Sequence, residues 1–244
     1  MRLTNVEQAL AGAGIDTLYS YAGRTGAPAG QPVPIRIGGF GGAAGLAAVL
    51  RTGGFTHLVD ATHPFAARIS ANAVIAAAEA GVPLLGFERP AWTPVPGDRW
   101  TAVPDTAAAA AALPADPASV FLAIGRQDLH AFAGRPRHRY LLRLVDPPDG
   151  PLPLPGAVAV IARGPFDAAA DRALMTAHGV ELLVARNAGG AGARAKLDAA
   201  RSLGIPVILI ARPALPARAC ATSVAAVMRW LHGAAPGADA PRGV

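Results

Sequence analysis

The 244-residue chain has a single cysteine, Cys220, and a single lysine, Lys196, against 21 arginines. One thiol excludes an intrachain disulfide and any Cys-x-x-Cys metal knuckle, which fits a reducing cytoplasm. The six histidines (His57, His63, His130, His138, His178 and His232) show no metal-ligand spacing, so no metal is expected. There is no Gly-x-Ser-x-Gly elbow and no evident histidine partner for Cys220, which removes hydrolase chemistry. No apolar run approaches the roughly 20 residues that cross a bilayer, and the stretch from Met1 to Glu7 lacks a signal core. Acidic residues are also short, leaving a formal charge of +6. The arginines are scattered rather than bunched, which disfavours a nucleic-acid stripe. Guanidinium forks grip carboxylates and phosphates at two points, so an acidic small molecule suits the balance better. An arginine-for-lysine bias also matches a GC-rich genome.

What the chain has in plenty is short apolar runs that stop at glycine, arginine or asparagine and give way to alanine-rich helices. Thr56 to Ala66 is the central example: a strand at 56–61 delivers Asp60, Thr62 and His63 to its carboxyl end, and a helix spans 66–80. In open α/β sheets, ligands bind outside those ends. Further strands are expected at 15–21, 82–87, 119–124, 139–145, 158–162, 181–185 and 206–210. Helices are expected at 4–13, 43–52, 106–113, 167–178, 194–203 and 221–232. Continuous apolar strands alternating with helices imply an α/β fold with mainly parallel sheets in two Rossmann-like halves. Prolines recur from Trp92 to Pro104, which puts the boundary near 103: a first domain at 1–103 and a second at 104–244, with a disordered tail from about 233.

Several strand ends carry chemistry. Gly23-Arg24-Thr25 closes the strand that meets the adenosine ribose in dinucleotide folds, where an arginine accommodates a 2′-phosphate; otherwise it is a solvent-facing turn. Gly38-Gly39-Phe40-Gly41-Gly42 lets backbone N–H groups approach a phosphate or planar ring. His63 reads as a general acid, a ligand contact or a helix-start residue, and Asp60 as a structural acceptor. Arg126, Arg163 and Arg186 each follow a strand of the second half, and three guanidiniums on one rim would attract a polycarboxylate. Lys196 follows the loop Asn187 to Gly192 and either donates a proton, holds a carboxylate or sits on a helix surface.

Taken in order, these segments resemble the precorrin-6A reductase family of cobalamin biosynthesis. The matching stretches are Ala22 to Thr25, Gly38 to Gly42, Asp60 to Ala66, Glu88-Arg89-Pro90-Ala91-Trp92, Gly125-Arg126-Gln127, Arg163-Gly164-Pro165-Phe166, Asn187 to Gly190 and Lys196 to Ala200. The resemblance implies NADPH on the first half, near Gly23, Arg24, Thr25, Gly38, Gly39, Phe40, Gly41, Thr62 and His63. It implies an acidic tetrapyrrole, precorrin-6A, between the halves, against Arg126, Gln127, Arg163, Gly164, Asn187, Gly189, Gly190 and Lys196. His63 and Lys196 are the expected catalytic pair, and transient contact with neighbouring pathway enzymes is a further expectation. Two departures stand out. Family members begin with an apolar strand and a Gly-Gly-Thr turn that this chain lacks, so the first half is expected to miss its N-terminal strand. Arg186-Asn187-Ala188 stands where the family tends to carry lysine and serine. Three alternatives stay open: reduction of the cobalt-containing macrocycle, a non-catalytic tetrapyrrole-binding module, and a different nucleotide-dependent transferase.

Overall fold

The computed structural model describes residues 6–21, 30–148, 150–162, 164 and 166–233. Gly23, Arg24, Thr25, Arg163 and the tail beyond 233 lie outside the described residues. The chain forms two compact units, Met1–Pro90 with Ala214–Val244, and Ala91–Pro213. The first unit opens with α1 (Val6–Gly12), β1 (Tyr19–Tyr21), β2 (Ile35–Ile37), α2 (Ala43–Thr52), β3 (Leu58–Asp60), α3 (Ala67–Ala80) and β4 (Leu84–Phe87). The second contains β5 (Trp100–Val103), α4 (Thr106–Ala111), β6 (Ser119–Ala123), a 3₁₀ turn at Arg126–Phe132, β7 (Arg139–Leu144), β8 (Val158–Ile161), α5 (Ala168–Ala177), β9 (Leu182–Arg186), α6 (Ala195–Ser202) and β10 (Val207–Ile210). The chain then returns to the first unit for β11 (Ala219–Ala221) and α7 (Val224–Leu231).

This return corrects the single boundary expected near 103. Two short strands absent from the sequence reading are responsible. β5 pairs with β10 in the second unit, and β11 pairs with β4 in the first. Every strand pairing among the described residues is parallel.

In the first unit, β11, β4 and β3 form a three-stranded sheet, with β1 and β2 as a separate pair. One face of the larger sheet buries Leu85, Phe87 and Ala221 against Val6 and Leu10 of α1 and Val227 of α7. Leu58 and Leu84 pack with Leu46, Ala47 and Leu50 of α2 and with Ala73 and Ala76 of α3. Alternation along each strand sends successive side chains to opposite faces, which is why two small cores flank three strands.

The second unit has one six-stranded sheet, ordered β5-β10-β9-β6-β7-β8. Leu141, Phe121, Leu183 and Val207 lie in register across four strands and join one core with Met175 and Leu197. Each fully buried side chain of this kind contributes about 1.5–3 kcal/mol. β6 leads outward to β7 and β8, whereas its other neighbour, β9, leads to β10. The strand order therefore reverses between β6 and β9, and in open α/β sheets the carboxyl ends at such a reversal are where ligands bind. Among the described residues, no helix is long and apolar enough to cross a membrane, and no cluster of potential ligands could hold a metal ion.

His138, just before β7, is buried and accepts a hydrogen bond from the Ala118 amide at Nδ1, 3.2 Å. Burial first, then the Arg135 guanidinium, holds its pKa below the ordinary value of 6.5. Above that value the ring is neutral whether the chain is folded or not, and its contribution is complete. As pH falls below about 6.5, the unfolded chain takes a proton that the folded one resists, so stability is lost. Thermal melts between about pH 7.5 and pH 5.5 should show wild type losing more stability than His138→Gln, which keeps an acceptor but cannot titrate. Parallel pH profiles would contradict this.

Candidate functional site

The glycine turn before α2 is shaped by an arginine that the sequence reading passed over. Arg36 donates to the carbonyl oxygens of Gly38 (2.6 Å) and Gly39 (2.9 Å), and its guanidinium stacks 4.1 Å from the Phe40 ring centroid. With those carbonyls held on one side, Gly38, Gly41 and Gly42 take φ values of 119°, 79° and 96°, which side chains resist. A Cβ placed on Gly38, Gly39, Gly41 or Gly42 would meet nothing within 4 Å, so this backbone faces open space. No side chain caps α2 at Gly42. Its first N–H groups are therefore left to an outside acceptor, and the helix end favours an anion.

β3 ends on Asp60, which is 5% exposed. Its Oδ1 accepts from the Thr62 amide (3.1 Å) and the Thr62 hydroxyl (2.7 Å), and that hydroxyl also meets Ser70 Oγ at 3.2 Å. Asp60 is thus the acceptor that shapes the turn, as expected of it. His63 is exposed, and its Nδ1 accepts from the Phe65 amide at 3.2 Å. That bond puts the proton of the neutral ring on Nε2. The α3 helix that follows has no side-chain cap either. The glycine turn and the Thr62-His63 turn thus open onto two helices that pack against each other.

In the second unit, Gly125, Arg126 and Gln127 follow the carboxyl end of β6, with Arg126 and Gln127 exposed. Arg186, at the end of neighbouring β9, is ion-paired to Asp128. That differs from the rim arginine the sequence suggested. The pair ties the carboxyl ends of β6 and β9 together, and a Cβ on Gly125 would stand 3.2 Å from Asp128 and 3.3 Å from Arg186. Asn187 is also differently employed than expected. Its side-chain amide accepts from the Trp92 amide (2.8 Å) and donates to the Trp92 carbonyl (3.0 Å), while Trp92 Nε1 donates to the Gly190 carbonyl (2.7 Å). Arg212, two residues beyond β10, donates to the carbonyls of Asn187 (3.0 Å) and Ala188 (3.2 Å). Gly189 and Gly190 have φ of 70° and 73°.

Lys196 is 8% exposed; its Nζ donates to the Ala193 carbonyl at 2.6 Å and lies 5.2 Å from the Trp92 ring centroid. The ammonium thus sits beneath the glycine loop rather than on a helix surface. Arg194, the N-cap of α6, makes no side-chain cap. Gly164 is exposed, and Phe166 stacks 3.8 Å from the guanidinium of Arg143, which is ion-paired to the buried Asp171 on α5.

Caps divide the helices into two groups. Asp105, Asp167 and Ser223 cap α4, α5 and α7 through their own side chains. Among the helices whose cap residue is described, those without a side-chain cap are α2, α3 and α6, each of which follows a strand-end turn singled out in the sequence. Arg212 carried the same sequence signal as Arg126, an arginine just after a strand, and could have been found by it. Arg36 and Trp92 had no such signal, because their role lies in carbonyls they reach through space.

Residues 4–232 match the family described as Precorrin-6x reductase CbiJ/CobK. The chain is 60% identical to a precorrin-6A reductase of Rhodobacter capsulatus, over 96% of this chain and 94% of that one. It is 51% identical to a precorrin-6A reductase of a Sinorhizobium species, over 81% and 76% respectively. A cobalt-precorrin-6A reductase of Priestia megaterium is 32% identical over 66% of each chain. A solved structure described as CobK precorrin-6A reductase superposes with a TM-score of 0.92 at 60% identity, covering 99% of this chain and 95% of the other.

Gly45, in the first turn of α2, offers a direct test of the glycine turn. A Cβ there would collide with the Phe40 carbonyl. Gly45→Ala should cost about 1–3 kcal/mol in denaturant melts. A melt indistinguishable from wild type would show that the turn is not held where described.

Proposed function

Because the chain belongs to the precorrin-6x reductase family, we propose that it reduces one double bond of precorrin-6A in corrin-ring assembly, with NADPH as the reductant. The observation that carries the cofactor reading is the bare Gly38–Gly42 turn ahead of an uncapped α2. Aligned N–H groups at a helix start, with no Cβ in the way, fit a pyrophosphate. Bound NADPH supplies the hydride. The backbone of the glycine turn would hold the phosphates, Thr62 and His63 would line the same cofactor site, and Gly23, Arg24 and Thr25 are assigned to the ribose and its phosphate. These residues fix orientation, which is the protein's main part in hydride chemistry.

The second unit takes the ring. Arg126, Gln127 and Arg163 meet its carboxylate arms, and the loop at Gly164 completes that side. Gly189 and Gly190 let the backbone approach closely, while Asn187 keeps their loop in shape through Trp92. The buried Lys196 ammonium places a positive charge under this loop. Addition across the double bond also needs a proton, and the chain offers two: on His63 Nε2 and on Lys196 Nζ. The metal-free ring is the better substrate assignment than the cobalt-containing one. Identity to relatives named precorrin-6A reductase reaches 60% and 51%, against 32% for the Priestia megaterium relative named for the cobalt form.

Full-length protein mixed with precorrin-6A and NADPH should deplete nicotinamide absorbance only when all three are present. No turnover under those conditions overturns the proposal. Arg126→Ala should raise the KM for precorrin-6A by about 10- to 100-fold, the worth of a charge-assisted hydrogen bond, and leave the KM for NADPH unchanged. An effect on the NADPH KM instead would remove Arg126 from the ring site.

A further inference from the structure

The C-terminal return of the chain brings an arginine to the β3 turn that nothing in the proposed chemistry yet uses. Asp60, Gly86 and Cys220 stand in register across β3, β4 and β11. Residues paired in this way point to one face of the sheet, as do those two positions along each strand. Asp60, Glu88 and Arg218 therefore converge. Arg218 donates from one terminal nitrogen to Glu88 Oε1 at 2.9 Å, and the same nitrogen lies 3.1 Å from Asp60 Oδ2. The side chains of Arg218 and Asp60 are 6% and 2% exposed.

The guanidinium reaches β3 only by crossing β4 at Gly86. A Cβ on that residue would stand 2.6 Å from Arg218 Nε and 3.0 Å from Cys220 Sγ. Burial of the Cys220 thiol, then the Glu88 carboxylate, raises its pKa, which disfavours the thiolate. Arg218 Nε and Asp60 Oδ2 are buried yet make no hydrogen bond among the described residues. The cation therefore holds Asp60 by charge, and Asp60 Oδ1 stays with the Thr62 amide and hydroxyl. Removing one partner of a buried ion pair leaves the other charge uncompensated, so the carboxylate would not keep this position alone.

We propose that Arg218 is a positioning residue for cofactor binding, acting through Asp60 to set the Thr62-His63 turn. The proposal rests on the reading that the first unit takes NADPH. Its test has one readout that needs no nucleotide and one that does. In the nucleotide-free full-length protein, Arg218→Gln should accelerate hydrogen exchange at the Thr62 amide while amides of β9 in the second unit keep their rates. Gly86→Ala, which displaces the guanidinium without removing its charge, should do the same.

In fluorescence titrations with NADPH, Arg218→Gln should weaken binding by about tenfold. Thr62→Val should weaken it by a smaller factor, and the double variant should bind no worse than Arg218→Gln alone. Independent sites would instead multiply their effects. An unchanged Thr62 amide, or single effects that multiply in the double variant, overturns the proposal. If wild type binds no NADPH while the Thr62 amide still responds to Arg218→Gln, the cofactor reading has failed and the proposal falls with it; the positioning contact alone survives.

Discussion

A loop that offers its N–H groups to an anion must first dispose of its carbonyls, because the two alternate along the same backbone and repel a negative ligand in equal measure. Both units meet this constraint with arginine. Arg36 draws in the carbonyls of Gly38 and Gly39, and Arg212 draws in those of Asn187 and Ala188. The planar fork of a guanidinium suits the task, since it reaches two neighbouring oxygens at once, and an ammonium has no such geometry. Lys196 donates to one more carbonyl near the loop, that of Ala193. Some of the chain's arginines are thus internal scaffolding, whereas others, Arg126 among them, are exposed.

The same economy appears at the helix ends. A side-chain cap stabilises a helix by about 1 kcal/mol, so three helices without one forgo about 3 kcal/mol together. The helices that do without are those behind the candidate binding turns, while α4, α5 and α7 are capped. The stability forgone is recovered elsewhere, in cores such as that around Phe121, Leu183 and Leu197. Glycine enters where the conformation leaves no choice: at Gly41 and Gly42 by φ, and at Gly45 and Gly86 by the closeness of a neighbour.

The sequence made the central strands and the binding turns readable because both are local. β6, β9 and β10 are buried on both faces, so their residues form continuous apolar runs, and the glycines announce their turns. β5 and β11 left no such mark. Each lies at the edge of its sheet, is four or three residues long, and has two exposed residues, so neither periodicity nor apolarity sets it apart. Missing them also misplaced the boundary, since β11 is what carries the C-terminal segment into the first unit. The partners of Arg186, Asn187 and Arg218 were equally hidden. Asp128, Trp92 and Asp60 lie 58, 95 and 158 positions away in sequence, and only the strand order brings them near.

The central claim is that the amides freed by carbonyl-clamping arginines are the ones that receive the anionic ligand. Amide NMR spectra of the isotope-labelled full-length protein, recorded during titration with NADPH, test it most directly. The account predicts large shifts at Gly41, Gly42 and the first turn of α2, with the α4 and α5 starts unmoved. Saturable NADPH binding that leaves Gly38 through Gly45 unperturbed would contradict it.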